Sequence, residues 1–363
     1  MPKPRRAALH RVPMRHPGDT AAIEALIAAG RLDPAGIVAI LGKTEGNGCV
    51  NDFTRAYAVQ SLTLLLARHL GAEAAARVAL VMSGGTEGGL SPHFLVLAVE
   101  DAEAPDPEGA LAIGTAFTRD FAPEEIGRPA QAEAVAAAVR EAMRVAGITE
   151  PHYVQVKCPL LTTERIAAAG APVATEDTYA SMGLSRGASA LGVALALGEV
   201  DAVAEGDIGR NWAKHSAVAS ASAGVELERC EVIVLGNSPD WGGDLAIAHA
   251  VMRDAIDLPA VHRALRLAGL PTVDGQIAAP DAGRLLAVLA KAEPSSDGRI
   301  RGQRHIMWDD SDINATRHAR ALVGGVIAGA VGRTDIFVSG GAEHQGPDGG
   351  GPVAVIARRA RPA

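Results

Sequence analysis

A five-residue turn of the form Ser-small-Gly-x-Glu occurs three times in this chain: Ser83-Gly84-Gly85-Thr86-Glu87, Ser222-Ala223-Gly224-Val225-Glu226 and Ser339-Gly340-Gly341-Ala342-Glu343. Each copy is followed by a strand-like apolar run, Phe94 to Val99, Val232 to Leu235 and Val353 to Ile356. The serines lie 139 (222−83) and 117 (339−222) residues apart. That spacing predicts one unit of roughly 120 residues used three times.

Two further residue types recur upstream of each serine, always in the same order. A lysine ends an apolar run in every unit: Lys43 after Ile37 to Leu41, Lys157 after Tyr153 to Val156, and Lys291 after Leu285 to Ala290. After it an arginine opens an Ala-rich stretch: Arg55, Arg186 and Arg317. A serine hydroxyl is a poor nucleophile until a base takes its proton, and a lysine serves once burial or nearby cations lower its pKa. Glycine-rich turns bring backbone N–H groups close to a developing oxyanion, and arginine offers forked donors to carbonyl oxygens or an anionic heterocycle. Three such sets converging on one centre predict a ligand of near threefold symmetry.

With 363 residues, 48% of them hydrophobic and only 3% aromatic, the chain can bury a large core built from Ala, Val, Leu and Ile. A net charge of −8, with no large Lys/Arg cluster beyond the N-terminus, excludes a nucleic-acid scaffold. Cys49, Cys158 and Cys230 are too few and too scattered for a disulfide framework, and they point to a reducing compartment. Cys158, beside Lys157, is assigned a packing role rather than that of a reactive thiolate. The basic residues from Pro2 to Pro17 lack the apolar core of a secretory signal and are expected to form an arm that is solvated or paired with a neighbouring subunit. No charge-free apolar run of about 18 residues occurs, so no membrane span is expected. The expected location is cytoplasmic.

Element signals place helices over 19–30, 53–70, 131–146, 186–197, 281–289 and 315–330, with strands over 36–41, 78–82, 94–99, 111–117 and 152–157. Boundaries at the acidic, Pro-rich stretch 100–108 and between 239 and 259 divide the chain into units 1–104, 105–250 and 251–363. The fold class is α+β, three similar α/β units. Gly183-Leu184-Ser185-Arg186-Gly187 matches the Gly-x-Ser-x-Gly elbow, but no apolar strand precedes it, so it is read as the start of a helix. Asp309 to Asp312 read as capping residues.

The three turns, the three lysines and the stretch from Ser339 to Pro352, Ser-Gly-Gly-Ala-Glu-His-Gln-Gly-Pro-Asp-Gly-Gly-Gly-Pro, resemble the cyanuric acid hydrolase/barbiturase family of ring-opening amidohydrolases across essentially the whole chain. That resemblance implies three similar domains around a pseudo-threefold axis, a homotetramer, and hydrolysis of one amide bond of a cyclic imide without a catalytic metal. It implies a substrate held between Arg55, Arg186 and Arg317 and the turns Ser83-Gly84, Ser222-Ala223 and Ser339-Gly340. Ser222 would be the nucleophile and Lys157 its base, with the pairs Lys43/Ser83 and Lys291/Ser339 in support. It also implies a structural Mg²⁺ or Ca²⁺ held by Glu293 with oxygen ligands from Ala342, Gln345, Gly346, Pro347 and Gly350, hard donors of the kind both ions take. Cyanuric acid is the preferred substrate and barbituric acid the alternative. A non-catalytic anion-binding protein is the competing class, but three retained lysines favour the enzyme.

Overall fold

In the computed structural model, residues 3–360 are described. The chain runs β1 (Arg5–Pro13), α1 (Ala21–Ala28), β2 (Ile37–Thr44), α2 (Phe53–Leu70), α3 (Ala72–Ala75), β3 (Ala79–Gly84) and β4 (His93–Asp101). It continues through β5 (Ala110–Phe117), α4 (Pro129–Ala146), β6 (Pro151–Pro159), α5 (Thr163–Ala168), α6 (Thr178–Leu197), β7 (Ala219–Gly224), β8 (Glu231–Ser238) and β9 (Trp241–Gly242). The last part holds β10 (Leu245–Met252), α7 (Leu258–Leu267), the small hairpins β11 (Thr272–Val273) with β12 (Gln276–Ile277) and β14 (Arg299–Ile300) with β15 (Gln303–Arg304), β13 (Leu285–Ala292), α8 (Ala315–Val331), β16 (Phe337–Gly340) and β17 (Gly351–Arg358).

Stripped of the short pieces, the order β-α-β-α-β-β occurs three times, and the sheets agree. Their strand orders are β3-β2-β4-β1, β7-β6-β8-β5 and β16-β13-β17-β10, with β9 added beside β1 in the first. In each set of four, the two strands that carry lysine and serine run parallel and the other pairs are antiparallel, while β9 joins β1 in parallel. Even the irregularity repeats: β2, β6 and β13 each break register near their first residues, at Ile37/Ala39, Pro151/Tyr153 and Leu285/Ala287.

Alternation along the strands decides where the lysines point, because successive side chains face opposite sides of a sheet. On β2, Ile40 packs into the core that α1 and α2 close, while Ala39 and Leu41 face a second core shared by all three sheets. On β13, Val288 and Ala290 face α7 and α8, while Ala287 and Leu289 face the shared core. Lys43 and Lys291 continue the inward series two residues beyond Leu41 and Leu289. Ser83 follows Val81, and Ser339 follows Phe337, in the same way. The polar ends of three otherwise apolar faces therefore meet at the centre.

Several sequence expectations are corrected. Arg5–Pro13 is no solvated arm: it is β1, paired along its length with β4, with Ala7 buried in the shared core and Val12 in the core that α1 and α2 close. The stretch 281–289 is not a helix; a short 3₁₀ turn over Ala279–Arg284 leads into β13, whose apolar run is too short and too continuous to carry a helical period. Helix α6 begins at Thr178 on an Asp177 cap rather than at Arg186. Ser185, inside that helix, is fully buried and donates to Pro159 O at 2.6 Å, which excludes an elbow. The third sheet takes its outer strand from Leu245–Met252, so a boundary at 250/251 cuts β10 and belongs before Leu245. Helix α6 is long and apolar enough to cross a membrane by composition, yet most of it is buried against α4 and β7. Cys158 and Cys230 are buried, with burial pushing both thiols up, as a packing role requires.

Candidate functional site

Parallel pairing puts each lysine directly opposite its serine: Lys43 opposite Ser83, Lys157 opposite Ser222, Lys291 opposite Ser339. The three serines converge. Ser83 Oγ donates to Ser339 Oγ at 3.2 Å, and Ser339 Oγ lies 3.0 Å from Ser222 Oγ. They share one small pocket with Gly84, Ala223, Gly340, Arg55, Arg186 and Arg320, closed by Met82, Met182 and Gly48. Arg317, the expected third arginine, is not among the lining residues. Its side chain is 41% exposed and donates to Glu87 Oε1 from outside at 3.1 Å. One turn further along α8, Arg320 takes the place and is buried.

The glutamate that ends each turn explains why the arginines stay put. Arg186 of the middle unit grips Glu343 of the last with two hydrogen bonds of 2.8 and 2.6 Å. Arg320 of the last unit grips Glu87 of the first, at 2.7 and 2.6 Å. Forked pairing of this kind fixes both orientation and distance. It also requires the glycine two residues after the serine: Gly85 and Gly341 have φ of +103° and +77°, and a Cβ on either would collide with the guanidinium lying on it. Arg55 departs from the pattern. It donates to Ala223 O at 2.9 Å and Cys49 O at 2.6 Å, and Glu226 is left to Lys157, whose Nζ stands 3.0 Å from Oε1.

The lysines differ accordingly. Lys43 Nζ donates to Ser83 Oγ and Gly84 O, both at 3.3 Å; Lys291 Nζ donates to Ser339 Oγ at 3.1 Å, Gly340 O at 3.0 Å and Ala221 O at 2.8 Å. Burial and then a nearby arginine, Arg320 or Arg186, drive both well below the usual amine range. Lys157 makes no hydrogen bond to Ser222 and donates instead to Met82 O at 2.9 Å. Burial lowers its pKa too, with Glu226 opposing.

Donor accounting separates the serines. Ser339 Oγ accepts from Ser83 and from Lys291, which fills both its lone pairs, so its own hydrogen goes to Ser222. The hydrogen of Ser222 is then the one hydroxyl proton of the three with no acceptor among its fellows.

The loop proposed for a cation lies beside this centre. Glu293 is half-buried, accepts from Thr316 Oγ1 at 2.9 Å and Gly341 N at 2.8 Å, and desolvation together with the neighbouring Glu343 pushes it up to about 7. It lines a cavity of about 270 Å³ with Ala342, Gly346, Trp212 and Trp308. Gln345 spends its side chain on Ala221 N and Gly341 O, which leaves it only a backbone oxygen to offer, and Pro347 O already accepts from Gly350 N. A carboxylate strained by a second carboxylate, among carbonyl oxygens, suits a hard divalent cation. Among the described residues no cluster of three His, Cys, Asp or Glu side chains offers a softer site.

Residues 8–358 match the family described as "Amidohydrolase ring-opening protein". The chain belongs to that family. It is 58% identical, over 98% of both chains, to a cyanuric acid amidohydrolase of Bradyrhizobium sp. (strain ORS 375), and 60% identical over the same shares to one of Methylobacterium sp. (strain 4-46). A crystal structure of the cyanuric acid hydrolase from A. caulinodans superposes with a TM-score of 0.91 at 57% identity, covering 98% of this chain and all of that one. The mixed α/β architecture is thus that of solved members of the family.

Proposed function

We propose that this chain hydrolyses cyanuric acid to carboxybiuret, which loses CO₂ to give biuret. The observation that carries the reading is the convergence of three serines and three arginines on one small pocket, each serine opposite a lysine, where a ring with three equivalent carbonyls meets donors from all three units. The repeated strand order and the relay of arginines from one unit to the glutamate of the next support an arrangement of the three units about a pseudo-threefold axis.

In the mechanism, Ser222 Oγ attacks one ring carbonyl and its proton passes to neutral Lys157, which lies directly across the parallel strands and swings from Met82 O. The Oγ–C bond forms, and the lysine returns the proton to the ring nitrogen as the C–N bond breaks. A water molecule then cleaves the ester by the same route in reverse. Ser83 and Ser339, held by Lys43 and Lys291, polarise the other two carbonyls, and Arg55, Arg186 and Arg320 draw charge out of the ring.

Purified protein is expected to release biuret and CO₂ from cyanuric acid and to leave barbituric acid, which has carbon in place of one ring nitrogen, far more slowly. Preference for barbituric acid would keep the chemistry and change the substrate. Silence on both rings would overturn the assignment and return the site to anion binding.

A structural Mg²⁺ or Ca²⁺ on Glu293 and the 342–350 loop belongs to the same proposal, as do a homotetramer, to be read by light scattering, and a reducing cytoplasmic setting, which three unbridged thiols suit. Chelation is expected to lower the melting temperature, because an ion at a hundred times its Kd stabilises by about 2.7 kcal/mol. Glu293→Gln should abolish the response to chelator. An unchanged melting curve in wild type would remove the ion from the proposal.

A further inference from the structure

Of the three glutamates that close the repeated turns, Glu87 and Glu343 are each clamped by an arginine, whereas Glu226 is not. Its side chain is only 9% exposed, and neither carboxylate oxygen receives an aimed hydrogen bond. Lys157 Nζ stands 3.0 Å from Glu226 Oε1. A buried carboxylate without donors is costly, so its position calls for a reason. Among the described residues, neither Lys43 nor Lys291 has a carboxylate in contact; they bond to serines and carbonyls. What frees Glu226 is the diversion of Arg55 to Ala223 O and Cys49 O, and Ala223 is the one position after a turn serine that is not glycine.

We infer that Glu226 is a positioning residue of the ring-opening reaction, holding Lys157 Nζ in place and stabilising the ammonium that forms when Lys157 takes the proton of Ser222. The inference rests on the proposed pairing of Ser222 with Lys157. When the Ser222 O–H bond breaks, an N–H bond forms on Nζ and a positive charge appears in a fully buried place. Glu226 faces that charge at contact distance. When the proton moves on to the ring nitrogen, Lys157 is neutral again and the pair has exchanged no net proton. An acidic residue behind a catalytic base orients it and favours its charged form in the same way. A threefold site that cuts only one bond needs one unit to differ in charge, and this is the unit that does.

Other charged or titratable groups facing the pair are few. Arg55 and Glu231 bear on both, Cys158 on Lys157 and Arg165 on Glu226. Against burial, which works the other way, Lys157 and Arg55 hold Glu226 below the usual carboxylate range, so it is an anion at neutral pH. Its charge raises the affinity of Lys157 for a proton. Removing that charge must therefore let Lys157 lose its proton at lower pH.

The test is Glu226→Gln, with Glu226→Asp and Lys157→Ala beside it, on cyanuric acid. The glutamine variant is expected to lose about 10²-fold in kcat, within the range of general-base effects, with KM changed less than threefold and the acid limb of the kcat profile moved at least one pH unit lower. The aspartate variant should restore part of kcat and move the limb back. Circular dichroism and melting curves identify a variant that has merely lost its fold, in which case Glu226→Asp, the milder change, carries the decision through its own pH profile. Wild-type kcat and pH profile in Glu226→Gln, or a rise in KM alone, overturns the inference while Lys157→Ala, if inactive, leaves the Ser222/Lys157 reading standing. Full activity in Lys157→Ala overturns both.

Discussion

Ser222→Ala is expected to remove cyanuric acid turnover by at least about 10³-fold with the fold intact, and Lys157→Ala to do the same. Each loss alone should nearly equal the loss of the double variant, because a nucleophile and its base act as a unit. Ser83→Ala and Ser339→Ala are expected instead to retain turnover with raised KM. The distinction rests on the donor accounting: Ser83 gives its hydrogen to Ser339 and Ser339 gives its own to Ser222, so both are engaged as holders, while Ser222 keeps a proton to surrender. The lysine at Ser222 differs from the others in the same sense. Lys43 and Lys291 already bond to their serines in the resting protein, whereas Lys157 is held off, against Met82 O and Glu226. Assays of biuret formation on the four single variants decide the matter. Abolition by Ser339→Ala with Ser222→Ala still active would move the nucleophile to the last unit.

The recurrence of Lys, Arg and Ser was legible in the sequence because strand and turn geometry fix those spacings locally. A lysine two residues past an inward-facing leucine points inward whatever the rest of the chain does, and a parallel strand pair then sets the serine beside it. The outer strands were harder. β1 reads as a basic arm because its buried residues, Ala7 and Val12, face two different cores and leave no alternation to read, and β13 reads as helix because the run from Leu285 to Ala292 is apolar at every position but the lysine, leaving no period to measure. The place where Glu226 differs from its two counterparts is invisible to spacing, since all three glutamates stand four residues after their serines. It arises from where an arginine on another unit sends its guanidinium, which is a tertiary choice.

The signal that singles out Arg320 is local. Arg55 is followed on its helix by buried Ala58 and Leu62, and Arg186 by buried Ser189 and Val193, at i+3 and i+7. Arg320 is followed at the same intervals by buried Val323 and Ile327, whereas Arg317 is followed by Arg320 and Gly324. The helical face that packs on its sheet therefore selects Arg320 as the member of the set.

The energetic consequence is large and specific to that one residue. Arg320→Ala leaves Glu87 with only the partly exposed Arg317 for a partner, in a place where 11% of its side chain meets solvent, and breaking a buried pair by removing one partner costs about 3–5 kcal/mol. Arg320→Ala is therefore expected to lower the stability of the protein by about that amount in urea unfolding and to raise KM steeply, since the guanidinium also lines the pocket. Arg317→Ala, three residues away and on the same glutamate, should change stability by less than about 1 kcal/mol, as exposed pairs do, with KM near wild type. The double variant Arg320→Ala/Glu87→Ala should recover part of the lost stability, because it removes the stranded carboxylate, but none of the lost affinity. Equal losses from the two arginines would mean that Glu87 is held by both and that the pocket has no single third arginine.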